Sequence, residues 1–156
     1  MNWLSILKEV LAASLGTVFF SVLFQIRPKH FLSCGLTGGL GWLIYCLALA
    51  RTGSPALATF VATIALSIFS RWLSFWRLTP ALVFLVSGIF PLVPGGAVCY
   101  AACHLFLGQY QAAASYTLAT LKLAAAIALG ILVAYALPTA LFCCRKRKIQ
   151  LDDVAN

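Results

Sequence analysis

Apolar residues fall into five long runs, at about 10–26, 31–50, 55–70, 78–107 and 118–144, separated by short polar connectors. The connectors carry turn signals: Arg27-Pro28-Lys29-His30, Arg51-Thr52-Gly53-Ser54-Pro55, the stretch 71–77, and 108–117. A helix rises about 1.5 Å per residue and hydrocarbon is roughly 30 Å thick, so about 20 apolar residues make one crossing. The pattern predicts an all-α membrane protein with about five transmembrane helices. The third run is short for a crossing and is expected to continue through Trp72 to Trp76, with its aromatics at the interface. The first run could pass for a signal peptide, but no small-x-small cleavage pattern precedes the Arg-Pro-Lys that ends it, so a retained helix is expected.

The fourth run departs from the others. It contains Pro91-Leu92-Val93-Pro94-Gly95-Gly96, preceded by Gly88. Proline removes a backbone donor and clashes with the turn before it, and paired glycines admit conformations closed to other residues. The fourth helix is therefore predicted to be broken here. In hydrocarbon, broken backbone is tolerated only where protein buries it or where it lines a watery cavity. Two readings stay open: a proline kink held by neighbouring helices, or an unwound segment that binds substrate, as in transporters with discontinuous helices. On the second reading Gly95 and Gly96 would present free amides at the start of a half-helix, whose positive dipole end favours carboxylate or phosphate. Thr79, Ser87 and Tyr100 are the nearest polar side chains in sequence, and Gly88, Pro91, Pro94, Gly95, Gly96, Thr79 and Tyr100 form the candidate substrate-binding set.

Composition sharpens the class. Of 156 residues, 63% are hydrophobic and only 9% charged, against roughly a quarter charged in an average soluble domain. That leaves a single transmembrane domain, 1–144, followed by a basic tail, 145–156. The net charge of +8 belongs to residues flanking apolar runs rather than to one basic face, which argues for membrane anchoring and against nucleic acid. In a five-span arrangement one side holds Arg27, Lys29, Arg71, Arg77, Arg145, Lys146, Arg147 and Lys148, and the other Lys8, Arg51 and Lys122. That eight-to-three division places the C-terminus in the cytoplasm and the N-terminus outside. A re-entrant fourth run would put the basic tail on the wrong side, so the broken run is expected to cross once.

Small-residue stripes mark helix contacts. The second helix carries Gly35-x3-Gly39 and the fifth Ala126-x3-Gly130-x3-Ala134, spacings that let membrane helices approach closely. They serve either packing within the chain or contact with a second subunit. Glu9 is expected near the outer end of the first helix and no carboxylate at mid-membrane, which leaves no evident site for coupling to protons or sodium. The cysteines and His30, Cys34, Cys99, Cys103 and His104 lack the paired spacing of a zinc site, so the cysteines are read as small apolar residues in helix contacts. No metal, cofactor or catalytic cluster is expected.

Arg71-Trp72, Arg77, Pro80, Phe84, Gly88 and Pro91-Leu92-Val93-Pro94-Gly95-Gly96 together resemble the signature region of the threonine/serine exporter family, specifically its C-terminal half as a short separate subunit. Pro28-Lys29 ahead of the glycine-rich second helix and the basic tail fit the same pattern. The resemblance implies export of small amino acids such as threonine and serine, or of a dicarboxylate such as succinate, across the bacterial inner membrane. It also implies a second membrane subunit resembling the family's N-terminal half. A structural or assembly subunit would share the glycine and alanine stripes but would have little use for a break within a span.

Overall fold

The computed structural model describes residues 3–137. The basic tail, Pro138 and the Cys143-Cys144 pair lie outside them. Within this range the chain forms six helices: α1 (Trp3–Leu23), α2 (Phe31–Thr52), α3 (Pro55–Arg77), α4 (Ala81–Ile89), α5 (Gly95–Phe106) and α6 (Tyr110–Ala136). Short 3-10 turns, Pro28–His30 and Phe90–Leu92, precede α2 and follow α4. Local signals set several boundaries. Gly53, at φ +64°, closes α2 by returning its N–H to Leu49, and Pro55 then opens α3 at a position where a missing N–H costs nothing.

Two ends differ from the sequence pattern. α1 begins at Trp3, so Lys8 and Glu9 lie inside the helix. α6 begins at Tyr110, and the connector expected at 108–117 shrinks to the turn around Gly108, whose φ is +72°. The polar residues Gln111, Ser115 and Thr117 lower hydropathy there without opposing helix, so the apolar pattern starts later than the helix does. The third helix runs to Arg77 as expected.

α2 and α3 form the centre of the bundle, with α1 against α2, α4 in the angle between α2 and α3, and α6 against α3. The interior is unusual for its small polar residues: Thr17, Ser21, Thr37, Thr59, Thr63, Ser67, Ser70 and Ser87 are all buried. Hydroxyls on Thr17, Ser21, Thr37, Thr59 and Thr63 donate to the carbonyl one turn back in their own helix, at 2.7 to 2.8 Å. A side chain satisfied this way is short and locally neutralised, so two helices can pack on it closely.

Of the two roles open to Gly35, Gly39, Ala126, Gly130 and Ala134, the described helices fill that of packing within the chain. Gly35, Gly38 and Gly39 face Val18, Thr17 and Ser14 of α1; Gly130 faces Thr63 and the Phe60 carbonyl of α3. Ala126 and Ala134 are buried along the same side of α6. These stripes were spaced for a helix neighbour, and the nearest neighbours are the chain's own.

Arg71 locks α6 to α3. Its guanidinium, 6% exposed, donates to the carbonyls of Ala134 at 2.6 Å and Leu137 at 3.1 Å and lies 5.3 Å from the Tyr135 ring centroid. The last carbonyls of a helix lack partners within it and carry the negative end of its dipole. The carbonyls thereby solvate a buried cation where lipid offers no water. Because Gly130 meets Thr63 and Ala134 meets Arg71, α6 runs parallel to α3. α3 ends beside Arg77, so the chain must cross to the opposite end before α6 begins, and the α4–α5 pair makes that crossing once.

Candidate functional site

The break in the fourth run lies at mid-depth. Leu92, the last residue of the 3-10 turn, packs with Leu66 and lies beside Gly41. Leu66 is the central residue of α3 and Gly41 one of the two central residues of α2. The chain thus enters from the basic end as α4, loses helical geometry halfway, and continues as α5 at a bend of 50°.

The residues dictate the form of this break. Pro91 and Pro94 bring no N–H, and Val93 between them is extended at φ −67°, ψ 129°. Pro94 precedes α5 and gives it no side-chain cap. The Gly95 N–H turns back to the Val93 carbonyl at 2.8 Å, and regular helical bonding resumes with Val98 N–H to the Pro94 carbonyl at 3.2 Å. The amides of Gly96 and Ala97 therefore point out of the N-terminus of α5. A side chain added at Gly95 or Gly96 would meet nothing within 4 Å. Space adjoins the backbone here, whereas Gly88, ahead of the break, is pressed against Thr37 and Leu66.

Pro91, Pro94, Gly95 and Gly96 are brought together as the sequence suggests, but the rest of the candidate set is not. Thr79 lies at the basic end, its hydroxyl 3.3 Å from the His30 Nε2, about 18 Å from the break along the dozen residues of α4 and its turn. Ser87 is buried and donates to the Val83 and Phe84 carbonyls. Tyr100 stacks on Tyr116 of α6 at 5.7 Å. Sequence proximity misled because α4 is a straight rod that carries Thr79 away. Gly88 acts as a packing surface.

Glu9 is also corrected. Its carboxylate accepts the Trp42 indole N–H at 3.2 Å and lies 3.7 Å from the Cys46 sulfur, and Trp42 stands next to Gly41 near the centre of α2. The helix start at Trp3 moves Glu9 inward, deeper than the apolar run implied. His30 is a second residue outside the candidate set. It is 4% exposed, with its Nδ1 unpartnered and its ring edge-on to Phe84. Its position at the end of the Arg-Pro-Lys connector was the available signal.

Residues 9–137 match the family described as "Threonine/Serine exporter, ThrE". An uncharacterized protein of Haemophilus influenzae is similar to this chain, at 30% identity over 92 residues, or 59% of this chain and 31% of that relative. The aligned part spans under a third of the relative's length. No solved structure matches. With a match from Glu9 to Leu137 across every described helix and a proline-glycine break at the centre of the fold, this multi-pass membrane chain belongs to the threonine/serine exporter family.

Proposed function

We propose that the chain is one subunit of a bacterial inner-membrane exporter for small carboxylate-bearing solutes, threonine- or serine-like amino acids or a dicarboxylate such as succinate. The observation that carries this reading is the interruption of the α4–α5 span at mid-depth, with open space beside Gly95 and Gly96. Outward-facing amides and a helix dipole at that point suit a carboxylate, and family membership supports transport over catalysis.

A partner subunit, resembling the family's N-terminal half, completes the path on this reading. α5 buries none of its residues and packs chiefly on α6, while Leu105 and Phe106 at its far end and Tyr110 at the start of α6 stay exposed. A half-helix beside a solute path needs a wall on its other side, and the six described helices do not supply one. The proposed arrangement has the basic end in the cytoplasm, where Arg27, Lys29 and Arg77 gather.

Efflux from preloaded cells expressing both subunits, normalised to protein abundance, tests the proposal. Gly95→Val should lose most export while abundance stays near wild type, since the added side chain meets no neighbour in the fold and obstructs only what approaches the backbone. Pro94→Ala should also lose export by letting the helix close over the break. Full efflux by Gly95→Val would place the solute path elsewhere.

A further inference from the structure

The basic end holds a cavity of about 550 Å³ built from the α1–α2 and α3–α4 turns, lined by Arg27, Lys29, His30, Arg77 and Thr79 among others. Among the described residues, no acidic one lines it. Three of the chain's eleven basic side chains converge on this one space, with a histidine buried in its wall.

Four helix ends meet here, and they are not electrically equivalent. The C-terminal ends of α1 and α3 are closed by left-handed residues: Gln25 at φ +54° and Leu78 at φ +49°. Ile26 N–H returns to Ser21 and Thr79 N–H to Ser74, which satisfies terminal carbonyls. The N-terminal ends of α2 and α4 have no side-chain cap, from His30 or from Pro80. Backbone bonds occupy part of these N-terminal donors, Phe31 N–H to the Pro28 carbonyl and Val83 N–H to the Pro80 carbonyl at 3.1 Å, so the positive character of the cavity comes chiefly from its side chains. Gln25 and Leu78 are the two non-glycine residues with positive φ among those described, and both line the cavity. Such strain, of order 1–3 kcal/mol per residue, tends to persist where a site requires it.

His30 supplies the independent pointer to a ligand. Its Nε2 meets the Thr79 hydroxyl, but its Nδ1 is buried without a partner, and an unsatisfied buried polar atom is rare in a settled fold. We propose that this cavity is an oxyanion-binding site that receives the carboxylate of a small solute, held by Arg77 and Lys29 beside the His30 ring. Its role as the waiting point before the mid-depth break rests on the export reading; binding itself does not.

The test uses the full chain with histidines labelled in 15N, in nanodiscs of zwitterionic phosphatidylcholine. The chain has two histidines, and His104, bonded to Gln109 and stacked on Tyr116, is the internal control. Titrated succinate should move the imidazole signals of His30 and leave those of His104 in place. Arg77→Gln should weaken succinate binding about tenfold or more, while Arg51→Gln, on the opposite end of α2, should not change it. A second arm titrates phosphatidylglycerol in place of succinate. Movement of His30 with that lipid alone would assign the site to a headgroup phosphate and overturn the solute assignment. No movement with either probe would overturn the site. Export is not part of the readout, so a failure of the efflux experiment leaves this result standing.

Discussion

Replacing Gly130 by alanine probes a tight helix contact whose neighbours cannot yield. The new methyl would lie 2.9 Å from the Thr63 Cβ and 3.1 Å from the Phe60 carbonyl oxygen, where carbon atoms prefer about 3.5–4.0 Å. One neighbour is backbone. The other is held by the Thr63 hydroxyl bond to Thr59 at 2.7 Å, so neither can swing aside and α6 must lift from α3. Overpacking of this kind costs roughly 1–3 kcal/mol, offset by up to about 1 kcal/mol of helix propensity gained over glycine. The expected net loss is about 1–2 kcal/mol, roughly a five- to thirtyfold fall in the folded-to-unfolded ratio. Gly16 is the matched comparison, since a methyl there meets nothing within 4 Å, and Gly16→Ala should be neutral or slightly stabilising. Reversible unfolding by SDS titration from mixed micelles measures both. Gly130→Ala as stable as wild type would refute the close α3–α6 packing on which the single crossing of α4–α5 depends.

Arg71→Met should destabilise by about 2–3 kcal/mol, because the terminal carbonyls of α6 lose a charged donor in a buried setting, and Arg71→Lys should recover only part, lacking the planar fork; thermal unfolding in detergent reads both. A reporter fused after Asn156 should behave as cytoplasmic and one before Met1 as external, and a C-terminal reporter active only outside the cytoplasm would reverse the assigned orientation. Cys99→Ala and Cys103→Ala, at exposed positions of α5, should keep most efflux in the assay used for Gly95→Val. A loss at either would give the cysteines a role that packing does not explain.

The sequence by itself determined the membrane class, the approximate number of crossings and the location of the break. These follow from local properties: hydropathy summed over some twenty residues, and the missing donors and backbone freedom of Pro91, Pro94, Gly95 and Gly96. Helix starts were less legible. Lys8, Glu9 and the polar residues after Tyr110 lower hydropathy while remaining compatible with helix, so the runs understate α1 and α6.

Only the tertiary structure decided what each small residue faces and which polar groups share a site. Gly39 and Gly130 carry the same spacing that a subunit contact would need, and whether Ser14 and Thr63 or another chain fills them depends on how α1 and α6 dock. Thr79 lies near Pro91 in sequence but is carried to the other end of α4, beside a histidine 49 residues away in the chain. The depth of the break likewise required Leu92 to be set against Gly41 and Leu66. Periodicity reports which face of a helix is apolar or small. It carries no information on which helix comes to meet that face, because that choice is made by long-range packing among several surfaces of nearly equal apolarity.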